Sequence, residues 1–146
     1  MKNSISIMLV SALIIGLSSF SCGTPQQKKQ VSDDPFVEFM QFYRHFLEDS
    51  AFQMERVLFP LEGIPSSVDS TTLAAGKFRW QKEDWELHRP FNFEGSDFEQ
   101  QFIPFNDDLI IENIVHKSGN YASERRFAKI EGQWYLIYYA GLNQVN

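Results

Sequence analysis

The chain has 146 residues, with 13 basic against 19 acidic side chains for a net charge of −6, and 14 of its residues are Phe. That length suits a single domain with a real core. The acidic balance excludes phosphate-driven nucleic-acid binding and disfavours anionic membrane surfaces, and a lone cysteine excludes an internal disulfide, so stability must come from packing.

Met1-Lys2-Asn3 supplies a positive start, Ile5 to Leu17 is an almost unbroken apolar run, and Ser18-Ser19-Phe20-Ser21 leads into Cys22. This is the order of a secretion signal. At about 13 residues the run falls short of the ~20 that span a bilayer permanently. Two cleavage readings meet at the same bond. Ser21-Cys22-Gly23 fits a lipoprotein signal, although Ser19 stands where Leu or Val is usual, and Ser19-Phe20-Ser21 fits the ordinary small-x-small rule. Acylation gives the exported cysteine a purpose, since each buried methylene adds about 0.8 kcal/mol of membrane affinity. Residues 1–21 then form the signal peptide. Residues 22–34 form a lipidated N-terminus with a polar, flexible tether, and residues 35–146 form one domain. The expected location is the cell envelope, lipid-anchored at the outer membrane, on a side that is left open.

Asp34-Pro35 opens a helix, with Asp as N-cap and Pro in the first turn. Phe36, Phe39, Met40, Tyr43, Phe46 and Leu47 follow at helical spacing as one apolar stripe, with Phe42 off it. Asp49-Ser50 caps a second, shorter helix through Val57, which Pro60 and Pro65 break. Residues 63–77 read as loop, and Lys77 to Pro90 as a strand and a turn. Ser96-x-x-Glu99 has the form of a capping box, which predicts one helical turn from Asp97 to Phe102.

The last third predicts a three-stranded antiparallel meander. Leu109 to His116, Tyr121 to Ile130 and Gln133 to Ala140 are the strands, joined at Gly119-Asn120 and Glu131-Gly132. If both loops have two residues, His116 pairs with Ser123, Ile114 with Arg125 and Glu112 with Phe127. On the other hairpin, Arg125 pairs with Tyr138 and Phe127 with Leu136. Side chains alternate along a strand, so one face carries Glu112, His116, Arg125 and Tyr138 among large apolar groups. Ligand pockets are lined in this way. His116 could act as acid or base near neutral pH, and Arg125 could grip a carboxylate. The structural alternative is that Arg125 simply neutralises Glu112. The histidines lack metal-ligand spacing, and no nucleophile or phosphate-loop motif is present, so no metal, cofactor or catalytic residue is assigned.

Phe36-Val37-x-Phe39-Met40-x-Phe42, with Phe52-Gln53-x-x-Arg56-Val57-x-Phe59-Pro60-Leu61, Lys82-Glu83-Asp84-Trp85 and Gly132-Gln133-Trp134-Tyr135-Leu136, resembles a family of uncharacterised lipoproteins from Bacteroides-type bacteria. The resemblance implies an α+β nuclear transport factor 2-like (cystatin-like) cone, its N-terminal helices packed on a curved antiparallel sheet. It also implies a conical cavity and frequent homodimerisation. It implies no reaction, because one fold hosts many functions.

Three functional classes remain. The first is a non-catalytic module, membrane-tethered through its lipid, that binds a small apolar ligand or an envelope protein. The second is a small cofactor-free acid/base enzyme of isomerase or dehydratase type. The third is a structural subunit of an envelope complex.

Overall fold

A computed structural model describes residues 34–66, 71, 76 and 78–145. The expected signal peptide, Cys22 and the expected tether up to Asp33 lie outside the described residues. Helix α1 runs from Pro35 to Glu48. The Asp34 carboxylate accepts from the Phe36 N–H at 2.9 Å, and Pro35 occupies the first turn as its sequence predicts. Asp49 ends α1 and caps α2, Ser50–Glu55, by accepting from the Ala51 and Phe52 N–H groups.

Helix α2 stops at Glu55, short of the expected Val57. Strand β1, Val57–Ile64, follows at once. Pro60 is compatible with a strand here because the ladder shifts register between Val57 and Glu62. A two-residue strand β2, Arg79–Trp80, pairs antiparallel with β1. Beyond it come β3, Phe98–Asn106; β4, Leu109–His116; β5, Tyr121–Ile130; and β6, Gln133–Gln144. All six form one sheet in the order β2-β1-β6-β5-β4-β3, with β1 parallel to β6 and the other described pairs antiparallel.

The helical turn expected at Asp97–Phe102 is instead the start of β3. Ser96 does take a backbone N–H, that of Phe98 at 3.1 Å, but it also bonds the Phe93 carbonyl. The same serine chemistry therefore closes a turn and leads into a strand.

The stripe of α1 packs into the concave face of the sheet. Phe39, Phe46, Phe127, Leu61 and Leu136 are fully buried. The Phe39 ring lies 5.4 Å from Phe127 and 5.1 Å from Trp134, both edge-on. Such pairs add about 0.5–1.5 kcal/mol each beyond their buried area. Phe42, outside the predicted stripe, reaches Phe52 and Phe127 and joins this cluster. Gly63 is where β1 and β6 approach most closely, for any Cβ there would run into the Tyr139 carbonyl.

Three register details decide which side chains meet. The loop between β4 and β5 spans four residues, Lys117 to Asn120, not two, so Glu112 sits opposite Arg125 and Ile114 opposite Ser123. The shift is even, and the same residues stay on the same face. The loop between β5 and β6 has two residues, Glu131 and Gly132, both at positive φ. Along β6, Phe127 pairs with Leu136 as predicted, but Arg126 pairs with Tyr138 and Arg125 with Tyr139. Ile137 is thus an extra residue, a bulge that turns β6 over from Tyr138 to Ala140, before a second shift between Ala140 and Asn143.

Candidate functional site

Behind the aromatic core, the concave face holds a buried polar cluster. Glu112 is fully buried and Arg125 is 7% exposed. The Arg125 Nε lies 2.6 Å from Glu112 Oε2, and Nη2 donates to Glu112 Oε1 at 2.8 Å. The same Oε1 accepts from the Tyr43 hydroxyl at 2.6 Å and from Gln100 Nε2 at 2.6 Å. The Tyr43 oxygen in turn accepts from Arg125 Nη2 and Gln100 Nε2. Helix α1 supplies Tyr43, β3 supplies Gln100, β4 supplies Glu112 and β5 supplies Arg125.

Burial raises the Tyr43 phenol well above its ordinary range, with the Glu112 charge adding to the rise and Arg125 opposing it. The hydroxyl therefore stays protonated and keeps donating. A buried carboxylate and guanidinium are tolerable only when paired and supplied with hydrogen bonds. Here the ion pair is formed and Glu112 Oε1 takes three hydrogen bonds, while Oε2 is held by the Arg125 charge alone.

One further partner extends the cluster. Arg125 Nη1 lies 3.1 Å from His88 Nδ1. Burial, then the neighbouring Arg125 charge, push the His88 imidazole down to about 3, so the ring is neutral at physiological pH. His88 belongs to the irregular segment between Trp85 and Ser96, yet its backbone is held firmly. Gln53, fully buried on α2, donates from Nε2 to the carbonyls of Phe46 at 2.7 Å and His88 at 2.8 Å. Its Oε1 accepts from the His88 N–H at 2.7 Å and from Trp85 Nε1 at 3.4 Å. Every hydrogen-bonding site of that amide is used.

This cluster forms the floor of a cavity of about 430 Å³. Leu47, Phe91, Phe93, Phe98, Ile114 and Leu142 provide apolar wall, and Tyr43, His88, Gln100, Arg125 and Tyr139, with the exposed Arg89 and two serines, provide polar groups. The volume lies within the usual ~300–1,000 Å³ of small-molecule sites.

Two of the four residues proposed from the sequence, Glu112 and Arg125, are brought together, though as partners of each other. His116 stands at the far end of β4, its Nδ1 2.8 Å from the Ser118 hydroxyl and its ring against Phe98, outside the cavity lining. Tyr138 lies on the opposite face of the sheet, its ring 4.3 Å from the Arg126 guanidinium carbon. The Ile137 bulge gives its expected place to Tyr139. His88 and Gln53 were not singled out by sequence, and nothing local marks them, since their roles depend on contacts 35 or more residues away. Gln100 and Phe98 would have been found by reading β3 as a strand with alternating faces.

Among the described residues no group of three or more His, Cys, Asp and Glu is placed to hold a metal ion. Among them too, no helix is long and apolar enough to cross a membrane.

No protein-family model matches this chain, and no curated protein matches it. Solved structures do. A cystatin-like protein from Bacteroides caccae ATCC 43185 superposes with a TM-score of 0.52 at 22% identity, over 70% of this chain and 74% of that one. A nuclear transport factor 2-like protein from Bacteroides fragilis NCTC 9343 gives 0.49 at 18% identity, over 74% of this chain and 46% of that one. Likeness to the first of these, at 22% identity, shows the fold alone: an α+β, cystatin-like domain, with helices on a curved, unclosed sheet.

Proposed function

We propose that this domain is a non-catalytic module, lipid-anchored to the cell envelope through Cys22, that binds a small, mostly apolar ligand in its concave cavity. The observation that carries the reading is the state of the polar floor. Glu112 Oε1 accepts from three partners, and Oε2 lies against the Arg125 guanidinium. The His88 ring is neutral, with Nδ1 occupied by Arg125. General acid/base catalysis needs a group free to exchange a proton with the substrate. The Glu112 carboxylate lies buried beneath the lining and is committed to holding its neighbours, whereas the aromatic walls are suited to enclosing apolar surface. The leader and Cys22 support the anchored location, as does the likeness to lipoproteins of Bacteroides-type bacteria noted above.

The test is mass spectrometry of the protein purified from the envelope fraction of a producing cell. The denatured spectrum should show a chain that begins at Cys22 and carries the mass of acyl groups. The native spectrum should show an additional small mass that disappears on denaturation. A chain with an unmodified Cys22 would refute the anchor. Equal native and denatured masses, in a sample also exposed to total envelope lipid extract, would refute the binding function.

A further inference from the structure

We propose, resting on the reading of the cavity as a binding site, that its occupant is a neutral amphiphile with a carbonyl-type oxygen. That oxygen is received at the floor by the Nε2–H of His88 and the spare N–H of Arg125 Nη1.

The donors can be counted. A guanidinium offers five N–H groups and no acceptor. In Arg125 the Nε lies against Glu112 Oε2 as an ion-pair contact, and Nη2 serves the Tyr43 hydroxyl and Glu112 Oε1. Nη1 serves His88 Nδ1. One Nη1 N–H is left over. Because Arg125 can only donate, His88 Nδ1 must accept, and the proton of the neutral ring sits on Nε2. That atom makes no hydrogen bond. Among the described residues, the buried side-chain nitrogen and oxygen atoms lacking one are Glu112 Oε2 and Trp134 Nε1. His88 Nε2 is therefore unpartnered but not sealed off, on a ring that lines the cavity. Two adjacent floor groups each offer a donor to whatever enters.

Charge selects among acceptors. Glu112 already cancels Arg125, so that pair is neutral as a unit; the other cation of the lining, Arg89, is exposed to screening solvent and donates to the Ser50 hydroxyl. A ligand carboxylate would add a second negative charge beside Glu112 in a poorly solvated site, where unpaired charge is costly. A ketone, ester or amide oxygen satisfies the same donors without that cost. The six apolar wall residues then take the tail.

The experiment uses 2-decanone as probe, with decane and decanoate as tail-matched controls. The protein is the full leader-cleaved chain carrying Cys22→Ala, so that no acyl chain competes. Tryptophan fluorescence follows binding, because the Trp85 ring lies 4.8 Å from His88. The expected result is that 2-decanone binds at least tenfold more tightly than decanoate. His88→Phe should weaken 2-decanone about tenfold, the scale of one lost hydrogen bond, and leave decane unchanged. In ¹⁵N-labelled protein with native His88, the Nε2–H resonance should shift with the ketone and not with decane. This measurement decides the matter if His88→Phe fails to fold. Tighter binding of decanoate, or a stationary His88 resonance with ketone and decane binding equally, would overturn the inference and leave the cavity a binding site. Failure of all three probes to bind would overturn both readings.

Discussion

Replacing Gln53 with Leu separates the role of the His88 clamp from that of the hydrophobic core. The two side chains are close in size, and position 53 is fully buried, so packing changes little. The polar loss is specific. The Phe46 carbonyl, in the last turn of α1, loses its 2.7 Å partner, and a buried carbonyl left bare costs about 1–3 kcal/mol. The His88 N–H and carbonyl lose partners at 2.7 and 2.8 Å. That segment is half-buried and regains some water, so roughly 0.5–1 kcal/mol is lost at each group. Burying an apolar side chain in place of an amide returns about 1 kcal/mol. The net expectation is a loss of about 1–4 kcal/mol, a sizeable part of the ~5–15 kcal/mol typical of a domain. Urea denaturation followed by circular dichroism should show a lower midpoint with an unchanged slope. Hydrogen exchange should show the His88 amide opening well before the amides of β5. An unchanged midpoint together with an unchanged His88 exchange rate would refute the clamp.

Glu112→Gln should cost about 3–5 kcal/mol, the usual penalty for leaving one member of a buried pair without its countercharge. For a domain of this size that lowers Tm by about 10–20 °C, and a drop of only one or two degrees would mean that Arg125 finds another counterion. His88 sets a pH dependence with a definite sign. Its folded value of about 3 lies below the ordinary 6.5, so between those values the unfolded chain binds more protons. Stability is then complete above pH 6.5 and falls on acidification, by roughly 2 kcal/mol between pH 6.5 and 5. His88→Gln should flatten that part of the urea-midpoint profile, and an unaltered slope would assign the effect to other groups. At the last hairpin Glu131 sits at φ 50° ahead of Gly132 at 77°. Glu131→Asn makes the favoured Asn-Gly pair and should raise stability by about 0.5–1 kcal/mol in thermal unfolding.

What sequence could reveal here was set by how local each feature is. Caps and stripe made α1 legible, because Asp34, Pro35 and the Phe39-Tyr43-Phe46 spacing act within a turn or two. The last three strands were legible for the same reason. The face carrying Glu112 and Arg125 survived a mistaken loop length because the error was two residues, and parity was kept. Tyr138 did not survive, because one inserted residue at Ile137 reverses parity and places Tyr139 on the cavity side. Strand β1 was hidden by Pro60 and by a partner, β6, that lies far along the chain. His88 and Gln53 belong to no periodic pattern. Their importance arises from the match between one amide and two backbone groups, a match made only after folding.

The strand order also bears on how the protein is made. Of the described strands β6 comes last in the chain, yet it lies inside the sheet, flanked by β1 and β5. Until it emerges, the helices with β1 and β2 on one side and the β3–β5 hairpins on the other have no shared strand to join them. A chain interrupted before Gln133 would lose the middle of its sheet, not an edge, and would expose both halves of its aromatic core. Non-local pairing of this kind slows folding.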